Sequence, residues 1–145
     1  MAFIRDNKPF DLATSTNTTI DASGNATVTG AGTLTSKAFK MTDLDEFSFF
    51  VQATGGPVIS SGFIIQANDG FDDSRPVQQP GLWVDVTGDF GTAGLGTAPG
   101  VHRFKATFAT PDYISSWACP YSYIRFQVVQ ASGTGVYSGQ FFAGE

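Results

Sequence analysis

Apolar and polar residues alternate with a period of two along most of this 145-residue chain, and this pattern constrains the fold more than any other feature. Successive side chains of a β-strand point to opposite faces of the sheet, so the alternation marks strands with one buried face. Apolar residues rarely recur at the three-and-four spacing of an amphipathic helix. Fourteen Phe and seventeen Gly are typical of aromatic sheets joined by tight turns. The pattern predicts an all-β protein.

The strongest alternation defines the candidate core. In 46–53 one face carries four apolar side chains, with Phe50 as the exception on the other face. The segments 61–67, 82–86, 101–108 and 122–130 alternate in the same way. For the segments 46–53 and 122–130, the predicted inward residues are Phe47, Phe49, Val51, Ala53, Ile124, Phe126 and Val128.

Turn signals divide these strands. The Gly24-Asn25 turn predicts a hairpin between 18–22 and 26–29, and 33–39 reads as a further strand. The turn at 132–135 predicts the clearest hairpin of the chain, between 122–130 and 136–142.

A single helical turn is predicted after the strand at 101–108. Thr110 is a candidate cap, Pro111 suits the first helical position, and Asp112 suits the helix dipole. This turn would end before Pro120.

Eight or nine short strands in a chain of this length make one domain, because a strand that is apolar on one face must stack that face on a second layer. We therefore predict a two-sheet antiparallel sandwich, jelly-roll-like in topology, over residues 18–145. Residues 1–17 are polar and irregular around Pro9, and they read as an extended N-terminal arm. Such an arm can pair with an open sheet edge of a neighbour.

Composition excludes several functional classes. The net charge of −5 argues against a nucleic-acid partner, since phosphate contacts need basic residues. His102 and Cys119 are the only residues of their kinds, which excludes most zinc sites and any disulfide within the chain. No nucleophile elbow or phosphate-binding loop is present. We expect no enzymatic activity, no catalytic residue and no cofactor.

The acidic residues are expected to be solvated. Asp69, Asp72 and Asp73 share the loop 68–80, but their spacing does not fit an EF-hand, and paired carboxylates for glycoside cleavage are not indicated. The N-terminus has charges where a signal peptide has its apolar run, and no segment has the length of a membrane helix. We expect synthesis in a cytoplasm and no membrane partner.

The aromatic residues of the loops and strand ends are the best candidates for a surface function. Trp83 shares a strand face with Asp85, which predicts an exposed ring beside a buried Leu82 and Val84. Such aromatics can cap the core, anchor an interface or stack on a sugar. The predicted interface residues are Phe3, Ile4, Phe10, Phe71, Trp83, Trp117 and Tyr121, and the predicted sugar-stacking pair is Trp83 with Asp85.

The C-terminal half, residues 82–144, resembles small decoration proteins of tailed-bacteriophage capsids. The residues that carry this resemblance are Leu82-Trp83-Val84-Asp85-Val86-Thr87-Gly88, Tyr123-Ile124-Arg125-Phe126-Gln127-Val128-Val129 and Ser132-Gly133-Thr134-Gly135. The resemblance implies an all-β protein without catalytic residues that binds the outside of the assembled shell. It also implies the major capsid protein as partner, a homo-oligomer such as a trimer, and a location on the virion.

Two other functions stay open at this point. A carbohydrate-binding sandwich that acts as a host-adhesion module would use Trp83 with Asp85, or Trp117 with Tyr121, as a stacking platform. A small tail or baseplate component would use the same fold as a joint between larger proteins.

Overall fold

The computed structural model describes residues 3–10, 16–42, 44, 46–68, 83–86, 112–116, 119 and 121–144. Within these ranges the chain forms eleven strands and no helix. The strands are β1 (Phe3–Asp6), β2 (Thr18–Ile20), β3 (Ala26–Thr29), β4 (Gly32–Thr35), β5 (Phe39–Lys40), β6 (Glu46–Gly55), β7 (Val58–Ala67), β8 (Val84–Asp85), β9 (Asp112–Ser116), β10 (Tyr123–Ser132) and β11 (Thr134–Gly144).

The strands form two antiparallel sheets. Sheet A has the order β2-β3-β11-β6-β9, and β1 pairs with the far half of β11. Sheet B has the order β4-β10-β7-β8, and β5 pairs with β10 beside β4. The predicted all-β, two-sheet antiparallel sandwich is confirmed.

The core between the sheets is a stack of phenylalanine rings. Phe49 of sheet A and Phe126 of sheet B are parallel, with ring centroids 4.1 Å apart. Phe39 and Phe141 stack in the same way at 3.8 Å. Offset and stacked aromatic pairs stabilise a core beyond the area they bury. The inward residues predicted for 46–53 and 122–130 are all buried, because the period-two pattern determines which face of each strand meets the other sheet.

The predicted turn at 132–135 joins strands of different sheets. The predicted hairpin of 122–130 and 136–142 is wrong: β10 pairs with β4, β5 and β7, whereas β11 pairs with β1, β3 and β6. Gly133 has a φ of +83°, and a Cβ there would collide with the Gly56 carbonyl oxygen. This glycine corner sends the chain across the core, so both strands still bury their apolar faces.

The connections β3–β4 and β6–β7 also pass from sheet A to sheet B, so three corners meet at one end of the sandwich. The Gly30 amide donates to the Gly133 carbonyl at 2.7 Å, and the Gly56 amide donates to the Thr134 carbonyl at 3.0 Å. Gln130 is buried among these corners. Its carboxamide nitrogen donates to three backbone carbonyls, those of Val28, Gly30 and Gly133.

The carboxamide oxygen of Gln130 accepts a hydrogen bond of 2.7 Å from the Tyr137 hydroxyl, which is itself fully buried. Burial raises the pKa of Tyr137 to about 12. One side chain thus joins carbonyl groups from two of the three corners to the buried Tyr137 hydroxyl.

Of the other predicted elements, one hairpin is confirmed, one strand is divided in two and the helical turn is wrong. The hairpin around Gly24-Asn25 is confirmed as β2 and β3. The predicted strand 33–39 is two strands, β4 and β5, on the same edge of β10. The predicted helical turn is wrong for 112–116, because this segment is β9 and pairs with β6. The predicted strand at 101–108 lies outside the described residues.

Candidate interaction surfaces

The N-terminal segment is bound to the sandwich by a strand and by one core side chain. Residues 3–6 of the predicted arm 1–17 pair with Phe141–Gly144 as β1. Phe10 has no exposed surface, and its ring meets Phe49 edge-on at 5.8 Å. The prediction that Phe10 contacts a neighbour is therefore wrong, because the Lys37 amide holds the Pro9 carbonyl at 2.8 Å and the chain turns into the core there.

Phe3 and Ile4 lie on opposite faces of β1. Phe3 is 64% exposed, and its ring packs beside Phe142 with the centroids 6.3 Å apart. The Arg5 guanidinium also lies over the Phe142 ring, 5.7 Å from the ring centroid. Ile4 is half-buried against the core. Phe3 thus remains available for contact with a partner, whereas Ile4 offers little surface.

The outward residues of β1, β3, β6 and β11 form one face, which we term the sheet A outer face. Phe50 lies on this face in the middle of β6 and is 40% exposed. A shallow hollow of about 170 Å³ lies beside Phe50, between Gln52, Ser138 and Gln140. On β3, β6 and β11, the only charged side chain of this face is Glu46, at the first position of β6. The remaining members are Thr27, Thr29, Ser48, Thr54, Thr134, Val136 and Phe142, together with Phe3 and Arg5 of β1.

Trp83 lies on the other side of the molecule and is only 8% exposed. The Arg125 guanidinium lies over its ring, 4.3 Å from the centroid. The prediction of an exposed Trp83 beside a buried Val84 is wrong, since Val84 is 62% exposed. Trp83 and Val86 are both buried with two exposed residues between them, so strict alternation fails at β8. Asp85 is exposed as predicted and pairs in register with Gln66.

Arg125 is held from two sides. Its Nε donates to the Gln66 Oε1 at 2.7 Å, and its plane is covered by the Trp83 ring. Burial lowers the pKa of Arg125, because the surroundings of the guanidinium disfavour its charge. The sequence placed Arg125 on the outward face of its strand, but nothing in the sequence indicated its partner Trp83.

The remaining predicted residues contribute less. Tyr121 is partly buried and packs against the core. Cys119 is half-buried, and its thiol donates to the Tyr121 carbonyl oxygen at 3.9 Å. The predicted residues that lie outside the described part of the chain are Phe71, Trp117, His102, Asp69, Asp72 and Asp73.

The described part of the chain holds no cluster of three potential metal ligands. Nor does it include a helix with the length and apolar character needed to cross a bilayer. Comparison of the whole chain with protein-family models finds no match, and comparison with curated proteins finds no significant match.

Proposed function

We propose that this chain is a non-enzymatic structural protein of a virion, a capsid decoration protein that binds the outside of the assembled shell. The observation that carries the proposal is the sheet A outer face. It combines exposed Phe50 and Phe3 with uncharged Thr, Ser and Gln side chains, and its charges lie at the margin. Aromatic residues are enriched and acidic residues and Lys are depleted at the centres of protein interfaces, and the two exposed phenylalanines of this face fit that pattern.

The proposed action is to stabilise the shell across joints between subunits of the major capsid protein. A protein that binds only the assembled state shifts the assembly equilibrium toward that state by mass action. Each contact can be weak, because many copies act on one shell and an oligomer, such as the trimer that the resemblance implies, binds at several points. The rigid phenylalanine core suits this action, since a stiff domain loses little conformational entropy on binding.

The carbohydrate alternative receives no support from Trp83. A sugar platform needs an accessible ring face, and the Trp83 ring is covered by Arg125. We therefore keep the virion structural role as the proposal, with a tail or baseplate position as an outcome of the same experiment.

The test is to add the purified protein to shells assembled from the major capsid protein of the same virus. We expect co-sedimentation with the shells, little binding to unassembled capsid protein, and a higher shell melting temperature. Electron microscopy of whole particles then gives the position and number of copies. Density at the tail would replace the capsid location, and absence of both co-sedimentation and shell stabilisation would refute the proposal.

A further inference from the structure

The outer face of sheet B carries Arg125, whose side chain is held in one orientation and has no role in the proposed function. The Arg125 guanidinium is fixed in plane by the Trp83 ring on one side and at Nε by the Gln66 carboxamide. In the part of the chain that the structure describes, its four Nη–H donors have no acceptor. Asp85 pairs in register with Gln66 on the neighbouring strand. Among the described residues, Arg125 is thus a partly desolvated cation whose Nη–H groups have no acceptor.

We infer that Arg125 is a binding site for a carboxylate group, presented by an Asp or Glu side chain of a partner protein. A guanidinium offers two parallel N–H donors that match the two oxygens of a carboxylate. Stacking on Trp83 and the bond to Gln66 fix the orientation of this pair of donors before the ligand arrives. The ligand therefore loses less free energy in ordering the site than at a mobile surface arginine.

The same geometry favours an acidic side chain over an acidic sugar as the source of the carboxylate. Sugar rings bind proteins largely by stacking on aromatic faces, and the Trp83 face is occupied by the guanidinium. Arg125 is partly exposed on the outward face of β10, where a carboxylate on a protein surface can reach it. Burial of the Arg125 charge costs free energy that a bound carboxylate offsets, because the pair is neutral overall.

The direct test is an NMR titration of the isolated full-length protein with sodium acetate, against sodium chloride at the same ionic strength. Arg5 is the internal control, because it also lies near an aromatic ring, Phe142, but is exposed. We expect the Arg125 Nε–H resonance to shift and saturate with acetate alone, while the Arg5 resonance shows only the general salt response. Equal behaviour of the two arginines would overturn the inference.

Two variants separate the site from the fold. In R125K the Trp83 indole N–H reports binding, and we expect acetate affinity at least about tenfold lower, since lysine lacks the planar pair of donors. In Q66E the new carboxylate lies beside the guanidinium, and we expect the acetate response to vanish while the amide spectrum stays folded. Retention of the wild-type affinity in both variants would refute the site.

The source of the carboxylate is tested with a short capped peptide that contains one Glu, the same peptide with Gln, and glucuronate. We expect the Glu peptide to bind at least about as well as acetate and the Gln peptide not to bind. Glucuronate that binds about tenfold tighter than the Glu peptide would overturn the choice of a protein partner. All these measurements use the free protein, so their outcome is independent of whether the chain binds a capsid.

Discussion

Gln130 is the residue on which the closed end of the sandwich depends. It is 2% exposed, and its carboxamide joins three backbone carbonyls from two chain corners to the Tyr137 hydroxyl. The period-two pattern of β10 places residue 130 on the inward face, where a polar side chain is costly unless it is hydrogen-bonded. Its partners at 28 and 30 lie a hundred residues away in sequence. The sequence therefore could not reveal that this buried amide is satisfied.

We predict that Gln130→Ala lowers the free energy of unfolding by about 3 kcal/mol, because it leaves buried carbonyls and a hydroxyl without their partner. Gln127→Ala is the matched control. Gln127 lies on the outer face of the same strand and donates to the Thr35 hydroxyl at 3.0 Å, so its loss should cost less than about 1 kcal/mol. Urea unfolding measures both variants. Equal losses of unfolding free energy in the two variants would show that the buried hydrogen bonds of Gln130 stabilise the fold no more than the exposed one of Gln127.

Tyr137 gives the fold a dependence on alkaline pH. Burial raises its pKa to about 12 in the folded protein, from an ordinary value of 10.0. Below pH 10 the hydroxyl is protonated in both states, and its contribution to stability is complete. Between about pH 10 and 12 the unfolded chain releases this proton and the folded chain keeps it, so stability falls by about 2 kcal/mol.

Tyr137→Phe should remove this part of the alkaline loss, although its stability at neutral pH is lower because Gln130 loses a donor. The measurement is the free energy of unfolding at several pH values between 8 and about 12 for both proteins. Parallel curves for the wild type and the variant would contradict the assignment, since the two proteins differ only in the Tyr137 hydroxyl.

At the scale of elements, the sequence predicted strand positions and faces better than strand partners. Alternation identified β6 and β10 with their buried residues, because side-chain direction is a local property. It misassigned the partner of β11, because a corner at a glycine and a hairpin turn share the same composition. It also predicted a helical turn where the structure has β9. The partner of β9 is β6, which lies more than fifty residues earlier in the chain, so local sequence does not reveal the pairing. Trp83 was misplaced for a similar reason, since the residue that covers it lies on β10.

The N-terminal strand is anchored by Phe10 rather than by Phe3. We predict that Phe10→Ala costs about 3–5 kcal/mol, because it removes a fully buried ring from the core. Phe3→Ala should cost less than about 1 kcal/mol, since that ring is 64% exposed. Thermal or urea unfolding of the two variants checks this contrast. Similar costs for both would mean that the segment docks differently in solution.

At the scale of the whole molecule, the two outer faces differ in chemistry, and this difference allows the proposals to be tested separately. The sheet A outer face has exposed phenylalanines and carries its charged residues, Glu46 and Arg5, at the margin, which suits a broad contact with a protein surface. The sheet B face carries the fixed Arg125, which suits one directed ionic contact. A decoration protein at a joint between subunits can use both, because its two faces meet different neighbours.

Replacement of one exposed apolar side chain on each face distinguishes which of them binds the shell. Phe50→Ser should weaken shell binding at least about tenfold, because an aromatic anchor near the centre of an interface contributes more than 1.4 kcal/mol. Val84→Ser is the matched control, since Val84 is 62% exposed but lies on sheet B. Neither change should lower the free energy of unfolding by more than about 1 kcal/mol. Co-sedimentation with shells measures the affinity. If Val84→Ser weakens binding and Phe50→Ser does not, the docking face is on sheet B and the sheet A outer face has another use.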